Sequence, residues 1–478
     1  MVAAPVATPA AAAPPLPALP LARFALYLGL AVVLHCVDLW LERTFPHPKA
    51  SSRPDLDWLP HGVFLATMLG SGGLAFFFGP RAPRRALVFG AGASIALAAF
   101  LLRPVDIAVV GGVIVATWLV ARLPVPLLAR LALVLAALAV PVWMRTGGLG
   151  RDVTLLVLNL SSLEAGLWAI LLMRACLYQV ECRRLRPEDR SLVLYAGSFT
   201  LLPLCGISLA PPVPYGQLLG QYGTADPDEN LRQGLDLLAL GIVLEWLDII
   251  AVSPLLDDAL RPFTIAAAQG IPVAAGVEQR LIWGAALLLQ FPHVYLRLAG
   301  PIFRLVGNLR LLGFNLPAGF DRPFLAWNLV EFWKRWNHFF RDTALILFYM
   351  PALGAVRRRV SLPVAVTIAV GACFAGEVLL REILEVFMRL PPGMWTVGHF
   401  GREAGRLGFI GVLTTISVFF VARRAARGGA GVPGWGARLR GMALTMGLLA
   451  TVNAFWYTAR AATTPERLWV ALRVLFGG

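Results

Sequence analysis

The chain carries one apolar run after another, each long enough to cross a bilayer as a helix, and no other feature limits its fold as strongly. A crossing takes about 20 residues. Candidate spans read off the sequence are 22–41, 61–79, 86–102, 104–121, 124–144, 153–173, 191–210, 231–256, 279–300, 360–380, 405–422 and 438–458. A shorter run at 343–355 reads as a broken or re-entrant helix. The expectation is an all-α polytopic membrane protein with about 11–13 crossings, joined by interfacial and re-entrant helices. Composition agrees, since 58% of the residues are hydrophobic and 14% charged, with a mean hydropathy of +0.71. A soluble domain carries about a quarter charged residues and would have to bury every one of these runs.

Residues 1–20 are almost wholly Ala, Pro, Val and Leu, with no basic residue before Arg23, so they read as a disordered tail and not as an export signal. The remainder, 21–478, reads as one membrane domain without internal repeats. The five cysteines, Cys36, Cys176, Cys182, Cys205 and Cys373, show no metal-ligand spacing, and their odd number argues against a disulfide framework. A formal charge of +15 comes largely from arginines in short loops: Arg81, Arg84 and Arg85, then Arg122, then Arg174 through Arg190, then Arg357 to Arg359, then Arg423, Arg424 and Arg427. Short basic loops beside spans follow the positive-inside rule. The first three clusters fall after spans two, four and six, which implies a cytoplasmic N-terminus, while scarce lysine beside many arginines suggests a bacterial source and hence the inner membrane. The distribution excludes nucleic acid as a partner in favour of the lipid bilayer and anionic ligands.

Ionisable groups within apolar runs are costly and mark function. Asp38, Glu164, Glu245, Asp248, Glu377 and Arg381 fall in or at the ends of such runs. Polar residues concentrate most in 301–342. Wound at 100° per residue, Leu329–Asp342 places Leu329, Phe332, Trp333, Trp336, Phe339 and Phe340 on one arc of about 120°, which predicts a single interfacial helix. Lys334, Asn337 and Arg341 share one flank, where two cations beside an amide suit a phosphate- or thioester-bearing ligand. The same pattern also suits an anchor helix with a solvated basic face.

Over about 48 residues, Tyr295–Asp342 resembles the central signature of the membrane-bound O-acyltransferase family, nearest the branch of alginate O-acetyltransferase and teichoic-acid D-alanyl transferase. The resemblance rests on Leu311-Leu312-Gly313-Phe314, Phe320-Asp321-Arg322-Pro323, Glu331-Phe332-Trp333-Lys334-Arg335-Trp336-Asn337 and Arg341-Asp342. A weaker match upstream is Ala210-Pro211-Pro212 with Tyr215, so the acyltransferase-like core covers 200–380. The resemblance implies a fold whose helices surround a central funnel, and, inside that funnel, transfer of an acyl group from a thioester donor, acyl-CoA or an acyl-carrier protein, to a hydroxyl of a lipid, glycan or small molecule. It implies no bound cofactor or metal, and an accessory or carrier protein as a partner. Tyr295, Arg322, Trp333, Lys334 and Arg341 would bind substrate, and Asn337 matches the family's supporting position beside the base.

The family's membrane-embedded histidine has no counterpart. Gly371–Glu382 reads GACFAGEVLLRE, which puts Ala375 or Gly376 at that position, and Arg297 follows Tyr295-Leu296 where the family carries Asp. Glu377 is the first candidate for a substitute base, because a low-dielectric span raises a carboxyl pKa toward the useful range. His399 is the second, while His338 and His293 read as lesser candidates, the latter as an interfacial aromatic. The alternative function is a catalytically silent relative that serves as a membrane scaffold or as an accessory protein binding an acyl donor or lipid.

Overall fold

A computed structural model describes residues 20–45, 65, 68, 104–146, 174–204, 215–220, 226–269, 276–389, 408–421, 434–462, 470 and 473. The expected spans 61–79, 86–102 and 153–173 fall almost wholly outside the described residues, as do Glu164 and His399. Among the described residues the regular elements are all helices. They are α1 (Leu21–Thr44), α2 (Pro104–Val120), α3 (Leu127–Thr146), α4 (174–181), α5 (Leu192–Leu204), α6 (Tyr215–Gly220), α7 (Pro227–Leu247) and α8 (Ser253–Gln269). After these come α9 (Val277–Leu311), α10 (Leu329–Arg335), α11 (His338–Ala344), α12 (Met350–Val356), α13 (Leu362–Arg389), α14 (Gly408–Val421) and α15 (Trp435–Ala462).

The protein is an all-α membrane protein. Among the described residues, three helical stretches are long and apolar enough to cross a bilayer: Leu21–Leu41, Val277–Leu311 and His338–Val356. Large apolar side chains face outward on two of them, Leu26, Val33 and Trp40 on α1 and Leu281 and Leu288 on α9 being exposed, as contact with lipid allows. Two expected boundaries need correction. Leu329–Asp342 is not one helix but two, parted at Trp336 and Asn337. The run expected to be broken or re-entrant at 343–355 is continuous helix from His338, widened by a π turn at Leu345–Tyr349.

The centre of the fold is the antiparallel pair α7 and α9. Gly234 and Gly241 on α7 face Gly307 and Gly300 on α9, each pair seven residues apart and therefore on one side of its helix. A Cβ on Gly241 would stand 2.6 Å from the Arg304 nitrogen and 2.7 Å from the Gly300 carbonyl oxygen. One on Gly307 would stand 2.6 Å from the Leu238 nitrogen. The two backbones thus touch, and every side chain but hydrogen is excluded at these crossings. Helix α1 runs parallel to α7, tied at its start by Arg23 and Tyr27 to Asp228, at 2.9 and 2.8 Å. Helices α8 and α15 close over the first half of α9, with Phe263 packed on Trp283 at 5.6 Å.

Candidate functional site

The segment that resembles the acyltransferase signature begins inside α9 and folds back along one face of it. Leu311-Leu312-Gly313-Phe314 ends the helix. Gly313 adopts φ 99°, its N–H donates to the Arg310 carbonyl, and the Phe314 N–H donates to the Leu309 carbonyl, both at 2.9 Å. This is a Schellman closure, in which only glycine takes the left-handed position without strain. Phe314 and Leu309 are fully buried together, supplying the apolar contact that accompanies such an end. Arg310 holds the turn from within, donating to the Leu316 carbonyl, Asn230 and Gln233.

From there the chain passes over α9 at Gly319, where a Cβ would collide with Ile302 at 2.2 Å. Two backbone hydrogen bonds join this strip to the α10–α11 junction: Asp321 N–H to the Arg335 carbonyl at 2.9 Å, and His338 N–H to the Gly319 carbonyl at 2.7 Å. Two non-glycine residues flank that seam in the left-handed region, Arg322 at φ 47° and Asn337 at φ 37°. Asparagine tolerates this conformation, whereas arginine does so at a cost, and such strain collects at functional sites. Pro323 then opens a short 3-10 turn. Asn328 caps α10 by accepting the Glu331 N–H at 2.8 Å, and Asn337 caps α11 by accepting the Phe340 N–H at 3.2 Å.

The aromatic residues of the signature form one packed cluster on α9. Tyr295 lies 4.8 Å from Phe324, 5.3 Å from Phe320 and 6.0 Å from Trp336, measured between ring centroids. Trp336 stacks on Phe291, one turn before Tyr295, at 5.8 Å. Trp333 reaches away, donating to Thr414 on α14 at 2.8 Å and meeting Phe374 on α13 at 5.6 Å. The structure therefore brings Tyr295, Trp333 and Asn337 into one packed unit with α13. Arg322 stands exposed at its edge.

The two cations of the flank are engaged within the unit. Lys334 pairs with Glu331 at 2.9 Å. Arg341 donates from Nε and Nη2 to Asp342, at 2.8 and 2.7 Å, and from Nη1 to the Lys334 carbonyl at 2.8 Å. Arg341 thereby locks α11 to the last turn of α10. Both side chains keep solvent access on their other edges, Lys334 being exposed and Arg341 half-buried.

At the position where the resemblance expects a histidine, Gly376 lies under the Phe348 ring, whose carbons would stand 2.4 Å from an added Cβ, and Ala375 faces outward. Glu377 is half-buried one turn beyond Cys373, whose sulfur meets the Ala344 carbonyl at 3.4 Å. It therefore belongs to the face of α13 turned toward the end of α11.

The opposite face of α9 carries a stripe of charge. Arg304 pairs with Glu245 at 2.7 Å and with Asp38, which also accepts from Trp246 at 2.9 Å. Farther along, His293 Nδ1 and Asp248 Oδ1 lie 2.6 Å apart, with Asp248 at the start of a π turn, Asp248–Val252. Asp38, Glu245 and Asp248 stand out in the sequence as ionisable groups within apolar runs, whereas Arg304 does not, and His293 reads there as an interfacial aromatic. The available signal was spacing: His293, Gly300 and Gly307 recur at seven residues and mark one face. His293 lies about 160° around α9 from Tyr295, so the Asp248–His293 pair and the aromatic cluster occupy opposite sides of that helix.

No known protein family matches this chain, and no curated protein is similar to it at a significant level.

Proposed function

We propose that this chain is a membrane-embedded protein of the O-acyltransferase kind, passing an acyl group from a thioester donor to a hydroxyl of a lipid, glycan or small molecule. The observation that carries the reading is how the signature folds. Its separate motifs become the Schellman end of α9, the left-handed Arg322 turn and the two capped helices, all closing on Tyr295. Backbone strain at Arg322 is the kind retained for function. The donor, acyl-CoA or an acyl-carrier protein, is met by Lys334, Arg341 and Arg322, and Asn337 and Trp333 orient the reacting groups. Acyl transfer needs a base for the attacking hydroxyl and donors for the oxyanion. Glu377 is the first candidate base and His399 the second. The cellular setting is the bacterial inner membrane, with the N-terminus cytoplasmic.

A second reading has its own support. Gly376 is filled by the Phe348 ring and Ala375 points away, so the family's base position holds no proton acceptor, as a silent donor- or lipid-binding relative would have it. Mass spectrometry of lipids and surface glycans from cells with and without the gene separates the two. Transfer predicts the loss of one acyl increment, restored by the wild-type gene and not by Asn337→Ala or Arg341→Ala, each still inserted in the membrane. An unchanged acyl profile, with purified protein that binds an acyl-thioester but does not consume it, selects the silent relative.

A further inference from the structure

A second cluster of cations lies away from the signature, where the turn between α2 and α3 meets α4 and the basic loop after it. Arg130, one turn into α3, is 2% exposed. Its Nη1 reaches only the Ala121 carbonyl at 3.4 Å and the Cys182 sulfur at 3.3 Å, and its buried Nε has no hydrogen-bond partner. Beside it, Gln179 is fully buried and donates from Nε2 to the Thr117 carbonyl at 2.9 Å, leaving its Oε1 buried and unpartnered. Burying a guanidinium without a counter-charge costs several kcal/mol, and its removal from water is normally offset by an anion.

The residues that touch Arg130 are followed in sequence by two more arginines. Arg122, next to Ala121, lies with its guanidinium 3.8 Å over the Trp118 ring and donates to the Arg190 carbonyl at 3.0 Å. Arg183, next to Cys182, donates to the Val125 carbonyl at 3.3 Å. Each is thus held in place from one side while its remaining N–H groups face solvent. Arg190 stiffens the loop itself by donating to the carbonyls of Leu185 and Arg183. Among the described residues, no carboxylate lies within ion-pair distance of Arg122, Arg130 or Arg183. Positive-inside charge accounts for exposed loop arginines, but not for one buried in a helix with its Nε unpartnered.

We infer that Arg122, Arg130 and Arg183 form a site for a phosphate-bearing ligand at this membrane edge. Two exposed arginines in the loops that cover a buried, uncompensated one suit a phosphate group with several acceptor oxygens. The phosphate belongs either to a nucleotide-type thioester or to a phospholipid headgroup. The site stands independently of the acyl-transfer reading.

The test uses the full chain. Binding of coenzyme A and of inorganic pyrophosphate is measured in detergent, and the unfolding midpoint is measured in nanodiscs of phosphatidylglycerol and of phosphatidylcholine. The wild type binds a soluble phosphate or is stabilised by phosphatidylglycerol over phosphatidylcholine. Arg122→Gln and Arg183→Gln each weaken that response about tenfold, as loss of a charged hydrogen bond does, and Arg130→Gln abolishes it. If Arg130→Gln does not fold, the two exposed variants decide. Coenzyme A binding assigns the nucleotide source, and response to phosphatidylglycerol alone assigns the headgroup. The inference is overturned if the wild type responds in no arm, or if Arg122→Gln/Arg183→Gln responds like the wild type.

Discussion

Asn337 meets two demands with one side chain. Its backbone stands at φ 37°, where asparagine is among the few side chains tolerated, and its Oδ1 caps α11. Asn337→Ala removes both features, and loss of a cap alone costs about 0.5–2 kcal/mol. A functional defect in that variant therefore does not separate chemistry from folding. Asn337→Asp does, because the carboxylate keeps the capping acceptor and tolerates the left-handed backbone but has no amide N–H to offer a substrate. If the amide acts on the donor or acceptor, Asn337→Asp unfolds at the wild-type midpoint in detergent and loses the acyl increment in cells. Retention of that increment would reduce Asn337 to a cap. The residue type was legible in the sequence, but its geometry was not. An amphipathic arc continues smoothly through position 337, and nothing in a 3.6-residue period reveals that the backbone turns left-handed there.

At the scale of the element, the α7–α9 pair rests on contact between backbones more than on interlocking side chains. Apolar runs at 231–256 and 279–300 made both helices visible, yet they did not identify them as partners. Glycines at 234, 241, 300 and 307 are plain in the sequence, but their meaning depends on two helices meeting face to face. The charge pairs Arg304–Glu245 and Asp248–His293 follow from the same crossing and were hidden for the same reason. Gly241→Ala and Gly307→Ala are expected to force the helices apart, each costing about 1–3 kcal/mol or more, since the nearest atoms are main chain and have nowhere to go. Gly284, also on α9, has nothing within 4 Å of an added Cβ. Gly284→Ala should be neutral or stabilising by up to about 1 kcal/mol, because alanine favours a helix interior. Unfolding midpoints of the three variants in one detergent check this directly, and equal losses at all three positions would remove the backbone-contact account.

For the whole molecule, the contacts between helix ends define sides of a membrane. Arg23 at the start of α1 meets Asp228 at the start of α7, and Asn230 in the first turn of α7 meets Arg310 at the end of α9. The start of α1 and the exit of α9 into the signature loop must therefore share one side. Helix α9 is about 50 Å long, more than the roughly 30 Å of a hydrocarbon core, so its two ends emerge on opposite sides. Under the proposed orientation, with the N-terminus cytoplasmic, the first of these sides faces the cytoplasm. Single cysteines at Ala22 and Pro317 should then resist a membrane-impermeant maleimide in spheroplasts and react after permeabilisation, while those at Thr44 and Gly276 react at once. Reaction at Ala22 and Pro317 from outside would invert the orientation and place the signature loop away from any cytoplasmic acyl-thioester. Opposite behaviour of those two would break the α1–α7–α9 arrangement itself.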